Sequence, residues 1–461
     1  MIPPHEIAER ALEAASALDG AVAIVHATSR ADLRWARTTL TTNGESRQTN
    51  LTLIGFQRSG AGIATATLSR SQPGAEDVRT LVDRLTASLL SAPAAEDAFD
   101  LVEPIAGVDA AWGDPPAVTS SASLDPLTSA LGAMFAGASE IELFGYAEHE
   151  LTTTWLASST GLRLRHEQPA ARLEITAKSH ARTRSAWWGL STDDFHGVDL
   201  NPGETELRWA LDAQATRVDV EPGRHRAVLT PGAIGDLMVD LWWSSSAREA
   251  VEGRSVFSAP DGRTRIGERL GERALTLSSD PFDPVIPAAA FLSTAASSDA
   301  ASVFDNGLPL GRVDWIREGV LECLLTPRWL SHSRGIPAAS SADTLRLADS
   351  AGAGGVSDLV ARTDDGLLVT CLWYNRVVDP QTLLLTGLTR DGVYVVRGGE
   401  VIGAAGNFRF NDSPVAVLGR ISDAGVTQRT LPREMGDYAA RVAMPPVTVE
   451  DFHFSTVSDA L

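Results

Sequence analysis

The sequence predicts an α+β fold in two domains. We expect an N-terminal α+β domain, with helices packed on an antiparallel sheet, and then a strand-rich C-terminal domain with a barrel-like or strongly curved sheet. Three observations favour this. The chain has 461 residues, which is too long for one small core. In its first half, amphipathic helical segments flank groups of strands. In its second half, short apolar runs alternate with turns and helical periodicity is rare.

We place the domain boundary near residue 220, which gives domains 1–220 and 221–461. Residues 91–123 are rich in Ala, Pro, Asp and Ser and predict a connector, which is a candidate subdivision of the first domain. Residues 197–223 form a second polar bridge, with a strand or short helix inside it. The boundary near residue 220 lies toward the end of this second bridge.

Apolar residues at helical spacing predict helices at 5–18, 76–90 and 127–136 of the first domain. Strands are expected between and after them, at 21–27, 33–40, 50–56, 60–68, 141–145 and 171–177, with a hairpin inside 152–164. In the second domain, two hairpins turn at Glu318-Gly319 and at Gly398-Gly399. A buried strand at 366–373 and a short helix at 327–334 complete the prediction.

Composition excludes several classes of function. The formal net charge of −20 argues against a nucleic-acid partner, because phosphates bind to a basic face. No apolar run approaches the roughly 18 residues that a membrane span needs. A polar, charged segment follows Met1 to Pro4, so we expect no signal peptide. The two cysteines, Cys323 and Cys371, lie in strand-like apolar runs and predict buried thiols in a cytoplasmic protein.

The most informative stretch is 227–258, midway along the chain. A short strand, 227–229, leads into a helix whose start is marked by Thr230 as the N-cap and Pro231 at the first helical position. The helix has one apolar stripe, made by Ile234, Leu237, Met238 and Leu241. It ends at two adjacent tryptophans, Trp242 and Trp243.

This layout resembles the central segment of the PmbA/TldD family, known as modulators of DNA gyrase and as metallopeptidase subunits. Other pieces resemble the family in the right order, at 33–36, 152–164 and 313–325. In TldD-type members, the Pro-Gly-led helix carries HExxxH, two zinc-binding histidines around a general-base glutamate. With the helices laid together from the Pro-Gly, Val239, Asp240 and Ser244 occupy those three positions. The chain also has no cysteine from residue 372 onward, where catalytic relatives are thought to have a further ligand.

The resemblance therefore implies the TldE (PmbA) type of subunit, with no catalytic residues and no metal of its own. Zinc is expected in a TldD-like partner, which would form a heterodimer with this chain. The pair would cleave unfolded or small modified peptides inside an enclosed cavity, and this chain would supply part of the wall and the dimer surface. Expressed alone, the chain is expected to form a homodimer.

Two other functions stay open. One is a self-standing metallopeptidase whose metal site uses residues outside the motif, such as His225, Asp240 and His332. The other is a homodimeric scaffold that binds peptides without cleaving them. Trp242 and Trp243 are either core residues or contacts to a partner or peptide, since neighbouring helical residues point about 100° apart and tryptophan is enriched at interface anchors.

Overall fold

The computed structural model describes residues 2–60, 62–104 and 107–458. It is 22% helix and 41% strand, which confirms the predicted α+β class. The α-helices are α1 (Pro4–Ala14), α2 (Ala75–Leu89), α3 (Asp125–Gly137), α4 (Asn201–Ala213), α5 (Pro231–Trp243), α6 (Ala247–Val251), α7 (Arg328–Arg334), α8 (Val356–Ala361) and α9 (Pro414–Gly419).

The first half of the chain builds one large antiparallel sheet, which we call sheet A. Its strands are β1 (Gly20–Ala36), β2 (Thr39–Ser59), β3 (Gly62–Ser71), β4 (Glu142–Ser158), β5 (Arg163–Ser179) and β6 (Arg184–Thr192). Their spatial order is β3-β2-β1-β4-β5-β6. Sheet A is strongly curved into a half-barrel. We expected a strongly curved sheet in the second half, and the strong curvature is found in sheet A of the first half.

The two faces of sheet A differ in polarity because side chains alternate along each strand. Helices α1 and α2 cover one apolar region around Val25 and Trp155, and α3 and α4 cover another around Leu33 and Ile175. Much of the opposite face is polar and is turned toward the second half of the chain. Sheet A thus rests on four helices and presents hydrogen-bonding side chains on its other side.

The second half contains seventeen short strands among the described residues. They are β7 (Gly223–Leu229), β8 (Ser258–Ala259), β9 (Arg263–Thr264), β10 (Leu275–Ser279), β11 (Val313–Arg317), β12 (Val320–Leu321), β13 (Leu345–Asp349), β14 (Asp365–Val369), β15 (Leu372–Asp379), β16 (Leu384–Thr389), β17 (Val393–Arg397), β18 (Glu400–Ala404), β19 (Asn407–Asp412), β20 (Ile421–Ala424), β21 (Gln428–Thr430), β22 (Val442–Met444) and β23 (Val447–Ser458).

These strands form two main sheets. Sheet B has the order β15-β16-β19-β23-β7-β14-β17-β18, with β20 also paired to β23, and sheet C has the order β12-β11-β10-β13-β22-β21. The largest apolar core of the protein surrounds α5 and includes residues of both sheets. A second core joins the two halves, because it contains Leu33 and Leu173 of sheet A together with Leu368 and Tyr394 of sheet B.

Most sequence-predicted elements are present, with shifted ends. The polar bridge at 197–223 holds a full helix, α4, where we expected a strand or short helix. The strand predicted at 366–373 is wrong as a single element, because the inner strand β14 ends at Val369 and β15, which begins at Leu372, is an edge strand of sheet B. Residue 220 falls between α4 and β7, and we keep the two-domain boundary there as a proposal. Among the described residues, no helix has the length and apolarity to cross a membrane.

Candidate functional site

The candidate site is built on α5, which follows directly from the central strand β7. Thr230 caps the helix: its Oγ1 accepts a hydrogen bond from the Ala233 N–H at 3.4 Å and donates one to the Thr370 carbonyl at 2.7 Å. Pro231 stands at the first helical position, as predicted. Nine of the thirteen residues of α5 are buried. The helix is therefore fixed inside the core, and its few polar side chains have fixed surroundings.

The three positions aligned with HExxxH do not converge on one point. Val239 is fully buried in the main apolar core. Asp240 is half-buried and contacts Asn375. Ser244 lies at the C-cap, where the helix has ended. Of the three, only Asp240 belongs to a polar cluster.

A second carboxylate, Asp236, lies one helical turn before Asp240. It is fully buried, and its Oδ1 accepts hydrogen bonds from the backbone N–H groups of Glu434 at 3.1 Å and Met435 at 3.0 Å. Its Oδ2 has no hydrogen-bond partner among the described residues. Burial raises the pKa of Asp236 well above its usual value, and the nearby charges of Asp240 and Glu434 raise it further. These influences favour the neutral carboxyl.

Asp240 is perturbed in the same direction. Burial raises its pKa to about 6, with a further contribution from the negative charge of Glu434. The Asn375 Nδ2 donates to Asp240 Oδ2 at 3.3 Å and, with Arg376, partly offsets this rise. A carboxyl with a pKa near 6 exchanges its proton close to neutral pH. The cluster thus holds groups that donate, accept or exchange protons.

The segment 431–441 closes over this cluster and connects it to sheet A. Glu434 accepts hydrogen bonds from the Tyr374 N–H at 3.1 Å and the Arg376 side chain at 3.2 Å. Farther along the segment, the Ala440 carbonyl accepts from the Ser191 hydroxyl of β6 at 2.8 Å, and Asp437 forms a salt bridge with Arg172 of β5. One short segment therefore contacts both the acidic groups of α5 and the polar face of sheet A.

Two adjoining cavities lie between that polar face and the second half of the chain, with volumes of about 340 Å³ and about 390 Å³. The larger is lined in part by His26, Thr154 and His166, which stand side by side on β1, β4 and β5. Burial lowers the pKa of both histidines, so both favour the neutral imidazole. Arg30 and Glu150 continue this polar lining and form a salt bridge at 2.5 Å.

A model of the PmbA/TldA metallopeptidase C-terminal domain matches residues 222–456, just over half of the chain. The chain belongs to the PmbA/TldD family. The match begins at β7 and contains α5 and the 431–441 segment. A comparison with curated protein sequences finds no match.

Solved structures of PmbA/TldD proteins share the fold over almost the whole chain. TldE from Thermococcus kodakarensis is 12% identical, with a TM-score of 0.75 over 98% of this chain and 99% of that one. A protein described as a candidate modulator of DNA gyrase from Bacteroides thetaiotaomicron is 12% identical, with a TM-score of 0.78 over 98% of each chain. A second protein of that description, from Thermotoga maritima, is 14% identical, with a TM-score of 0.72 over 97% and 99%.

The zinc that the resemblance associates with TldD-type members does not fit the residues of α5 in this PmbA/TldD chain. Zinc sites use imidazole nitrogen or thiolate sulfur with few exceptions, and the cluster offers only carboxylates and an amide. Within 2–60, 62–104 and 107–458, no group of three His, Cys, Asp or Glu residues has the arrangement to hold a metal ion.

The residues considered for a site outside the motif have separate surroundings. His225 bonds to the Glu221 carbonyl and packs on Phe454 of β23, whereas His332 of α7 packs on Phe99. Neither shares a described hydrogen bond or ring contact with Asp240, so the structure does not bring His225, Asp240 and His332 together.

The two tryptophans at the end of α5 have different environments. Trp242 is partly buried and packs against the main core. Trp243 is 44% exposed and makes an edge contact with Tyr438, which is 71% exposed and belongs to the 431–441 segment. Trp242 is thus a core contact, whereas Trp243 is exposed and its contact to a partner or peptide stays a prediction.

Sequence reasoning missed four residues of the cluster: Asp236, Asn375, Arg376 and Glu434. A signal existed for Asp236, because it stands four residues before Asp240 in a helix that is otherwise almost wholly apolar. Two carboxylates at this spacing share one helix face. For the other three residues, nothing local in the sequence marks a contact with α5.

Proposed function

We propose that this chain is the non-catalytic, TldE-type subunit of a two-chain metallopeptidase. A TldD-like relative would supply the zinc and the catalytic residues. The proposal rests on the three side chains of the α5 region that align with HExxxH. Val239 lies in the core, Asp240 accepts a hydrogen bond from the Asn375 side chain, and Ser244 follows the last turn. None of these side chains is an imidazole or thiolate, so this helix is suited to a structural role in a shared active-site cavity.

The substrates in this proposal are unfolded or small modified peptides, cut in a cavity that the two subunits enclose. The polar face of sheet A supports this, because the space beside it is lined by donors and acceptors that suit peptide groups, such as Thr152, Thr154 and Gln168. We also propose a cytoplasmic location, where two unpaired cysteines, Cys323 and Cys371, persist as thiols. Cys371 is buried and Cys323 is half-buried.

The contact surface for the partner, in this proposal, includes the exposed aromatic pair Trp243 and Tyr438. Large aromatic residues dominate binding energy at protein interfaces when a partner covers them. Tyr374 lies on β15, an outer strand of sheet B, and is 54% exposed. Open sheet edges favour pairing with another chain, which supports a dimer.

Co-expression with an HExxxH-bearing relative tests the assignment. We expect a one-to-one complex by light scattering, with zinc and peptidase activity in the complex and neither in the isolated chain. Metal analysis and a peptide-cleavage assay on the complex and on the isolated chain give the readout. About one tightly bound zinc per isolated chain, with peptide cleavage, would favour the self-standing metallopeptidase instead.

A matched pair of tryptophan variants tests the surface. Trp243→Ala is expected to weaken the complex about 30-fold or more, the effect of a central interface aromatic. Trp209→Ala removes a tryptophan of similar exposure, 40%, from α4, and is expected to leave the affinity unchanged. Equal affinity of both variants for the partner would remove Trp243 from the interface.

A homodimeric peptide-binding scaffold is the second candidate, and the same open edge of β15 supports it. In that case the isolated chain would form a dimer and bind peptides. The two copies of this homodimer would stay together when an HExxxH-bearing relative is added. Light scattering of the mixture separates the two candidates, because only the heterodimer changes composition.

A further inference from the structure

A cavity of about 250 Å³, with no residue of α5 in its lining, lies where the β5–β6 turn approaches β17, β18 and the end of β23. Its charged lining residues are Lys178, Arg182, Arg217 and Asp391. Lys178 is the only lysine in the chain. Three cations and one carboxylate therefore surround one small cavity, in a protein whose formal net charge is −20.

Two of these four groups already have partners. Asp391 forms a salt bridge with Arg433 and accepts a hydrogen bond from the Ser185 hydroxyl at 2.5 Å. Arg182 forms a salt bridge with Glu142 at 2.7 Å. Among the described residues, neither Lys178 nor Arg217 forms a salt bridge or a side-chain hydrogen bond with another residue. Within the part of the chain that the structure describes, two positive charges at the cavity thus have no ion-pair partner.

Regular structure fixes the position of both cations. Lys178 lies near the end of β5, directly opposite Glu142 on β4 and Ser185 on β6. The carboxylate of Glu142 forms its salt bridge with Arg182, and no described salt bridge joins it to Lys178. Arg217 forms a β-bridge with Ala404, the last residue of β18.

The guanidinium of Arg217 lies close to the chain at Gly406. A Cβ atom at Gly406 would stand 3.4 Å from Arg217 Nη2, which is an ordinary contact distance. The guanidinium therefore lies beside residues 405–407, which belong to the second half of the chain, and Ala405 and Asn407 also line the cavity.

We propose that this cavity binds an oxyanion, a carboxylate or a phosphate, between the Lys178 ammonium and the Arg217 guanidinium. Charge-assisted hydrogen bonds to such anions are the strongest that these side chains make. The volume equals that of about eight liquid waters, enough for the anionic group and a few attached atoms. All the lining residues belong to this chain and none of them to α5, so the proposal does not depend on a partner subunit.

The single lysine gives a direct assay. An amine-acylating reagent modifies Lys178 and the chain's α-amino group, and mass spectrometry of the two peptides follows each rate separately. We expect an oxyanion ligand to slow acylation of Lys178 about tenfold at saturation, as occupancy near 90% gives. The rate at the α-amino group is expected to stay unchanged and serves as the internal control.

Four ligands distinguish the source of the anion, all at matched ionic strength: inorganic phosphate, a short peptide with a free C-terminal carboxylate, the same peptide amidated, and chloride. Protection by phosphate alone assigns a phosphate ligand, and protection by the free peptide but not its amide assigns a carboxylate. Protection by both supports a site for either oxyanion. Protection by neither beyond the effect of chloride overturns the proposal.

Arg217→Ala tests the second cation. We expect the protecting ligand to bind about tenfold more weakly, the effect of losing one charged hydrogen bond. Arg79→Ala, at an exposed position of α2, makes the same change in net charge and is expected to leave protection unchanged. Unchanged protection in Arg217→Ala would overturn the two-cation site. Calorimetry on Lys178→Gln, which is expected to abolish binding, gives a second measurement that needs no labelling.

Discussion

Asp305 and Asp236 are both fully buried aspartates in the second half of the chain, but the charges around them differ. Asp305 accepts hydrogen bonds from the Arg328 Nε at 2.6 Å and from the Arg328 backbone N–H at 3.1 Å. Asp236 accepts only the two backbone N–H groups of the 431–441 segment. No cation forms a salt bridge with Asp236 anywhere in the residues that the structure describes.

The difference shows that these two carboxylates serve the fold in opposite ways. A buried carboxylate beside an arginine adds stability relative to the broken pair, because its partner would otherwise lose its counter-charge. A buried carboxyl without a cation is driven toward its neutral form, as the raised pKa of Asp236 indicates. Apolar residues would fill that position of α5 at lower cost. Stability therefore explains Asp305 but not Asp236, and polar groups of this second kind are candidates for function.

The largest effect is expected for Asp305→Ala. The variant leaves the Arg328 guanidinium and its backbone N–H without their acceptor, and the expected loss is about 3–5 kcal/mol of unfolding free energy. Urea denaturation followed by tryptophan fluorescence measures it. Glu6→Gln, which removes an exposed salt bridge to Arg10 within α1, is the control, with an expected loss of about 0.5 kcal/mol or less. A loss in Asp305→Ala as small as in the control would contradict the comparison.

A smaller effect, of opposite sign, is expected for Asp240→Asn. The pKa of Asp240 is about 6 in the folded chain and 3.8 for the free group, so the folded form binds the proton more tightly. Stability from this group is present below pH 4 and is lost as the pH rises through about 6. Asparagine does not ionise and still accepts the Asn375 hydrogen bond. The variant should therefore match the wild type near pH 3.5 and exceed it at pH 8 by up to about 3 kcal/mol.

The measurement is the free energy of unfolding of both proteins at these two pH values. Asp236→Asn should change in the same direction, because its pKa is also raised by burial. Asp212→Asn, at an exposed position of α4, controls for the loss of one negative charge. If Asp240→Asn destabilises the protein equally at both pH values, the carboxyl contributes a specific bond and not a buried charge.

Much of the fold could be predicted because it is encoded in local periodicity. The bounds of α2 and α5 agree with the prediction to within about one residue, since an amphipathic stripe and a Thr-Pro start are local signals. The break between β14 and β15 could not be predicted. No turn residue occurs among Val369, Thr370, Cys371 and Leu372, and the chain leaves an inner strand there to form an edge strand of the same sheet.

The candidate site was predictable only on its helix. The bond between Asp236 and the Glu434 N–H joins residues 198 positions apart, and no pattern in a single sequence marks such a pair. The same holds for the two cations of the 250 Å³ cavity, because Lys178 is on a strand of sheet A and Arg217 follows α4. Each residue is ordinary in its own segment, and only the tertiary structure places them at one cavity.

The smallest expected effect concerns the other end of α5 and completes the comparison with a polar group that is neutral and fully bonded. Thr230 accepts from the Ala233 N–H and donates to the Thr370 carbonyl. Thr230→Ala should cost about 1 kcal/mol, the usual value of a helix cap, at every pH between 5 and 8. Thr230→Ser keeps the hydroxyl and should retain most of that stability. The measurement is the urea midpoint of both variants at three pH values.

Equal losses in both variants would show that the threonine methyl, and not its hydroxyl, stabilises the start of α5. A loss that grows with pH would instead mean that the variant acts through the carboxyls of Asp236 and Asp240, and the two ends of the helix would then have to be treated as one coupled unit.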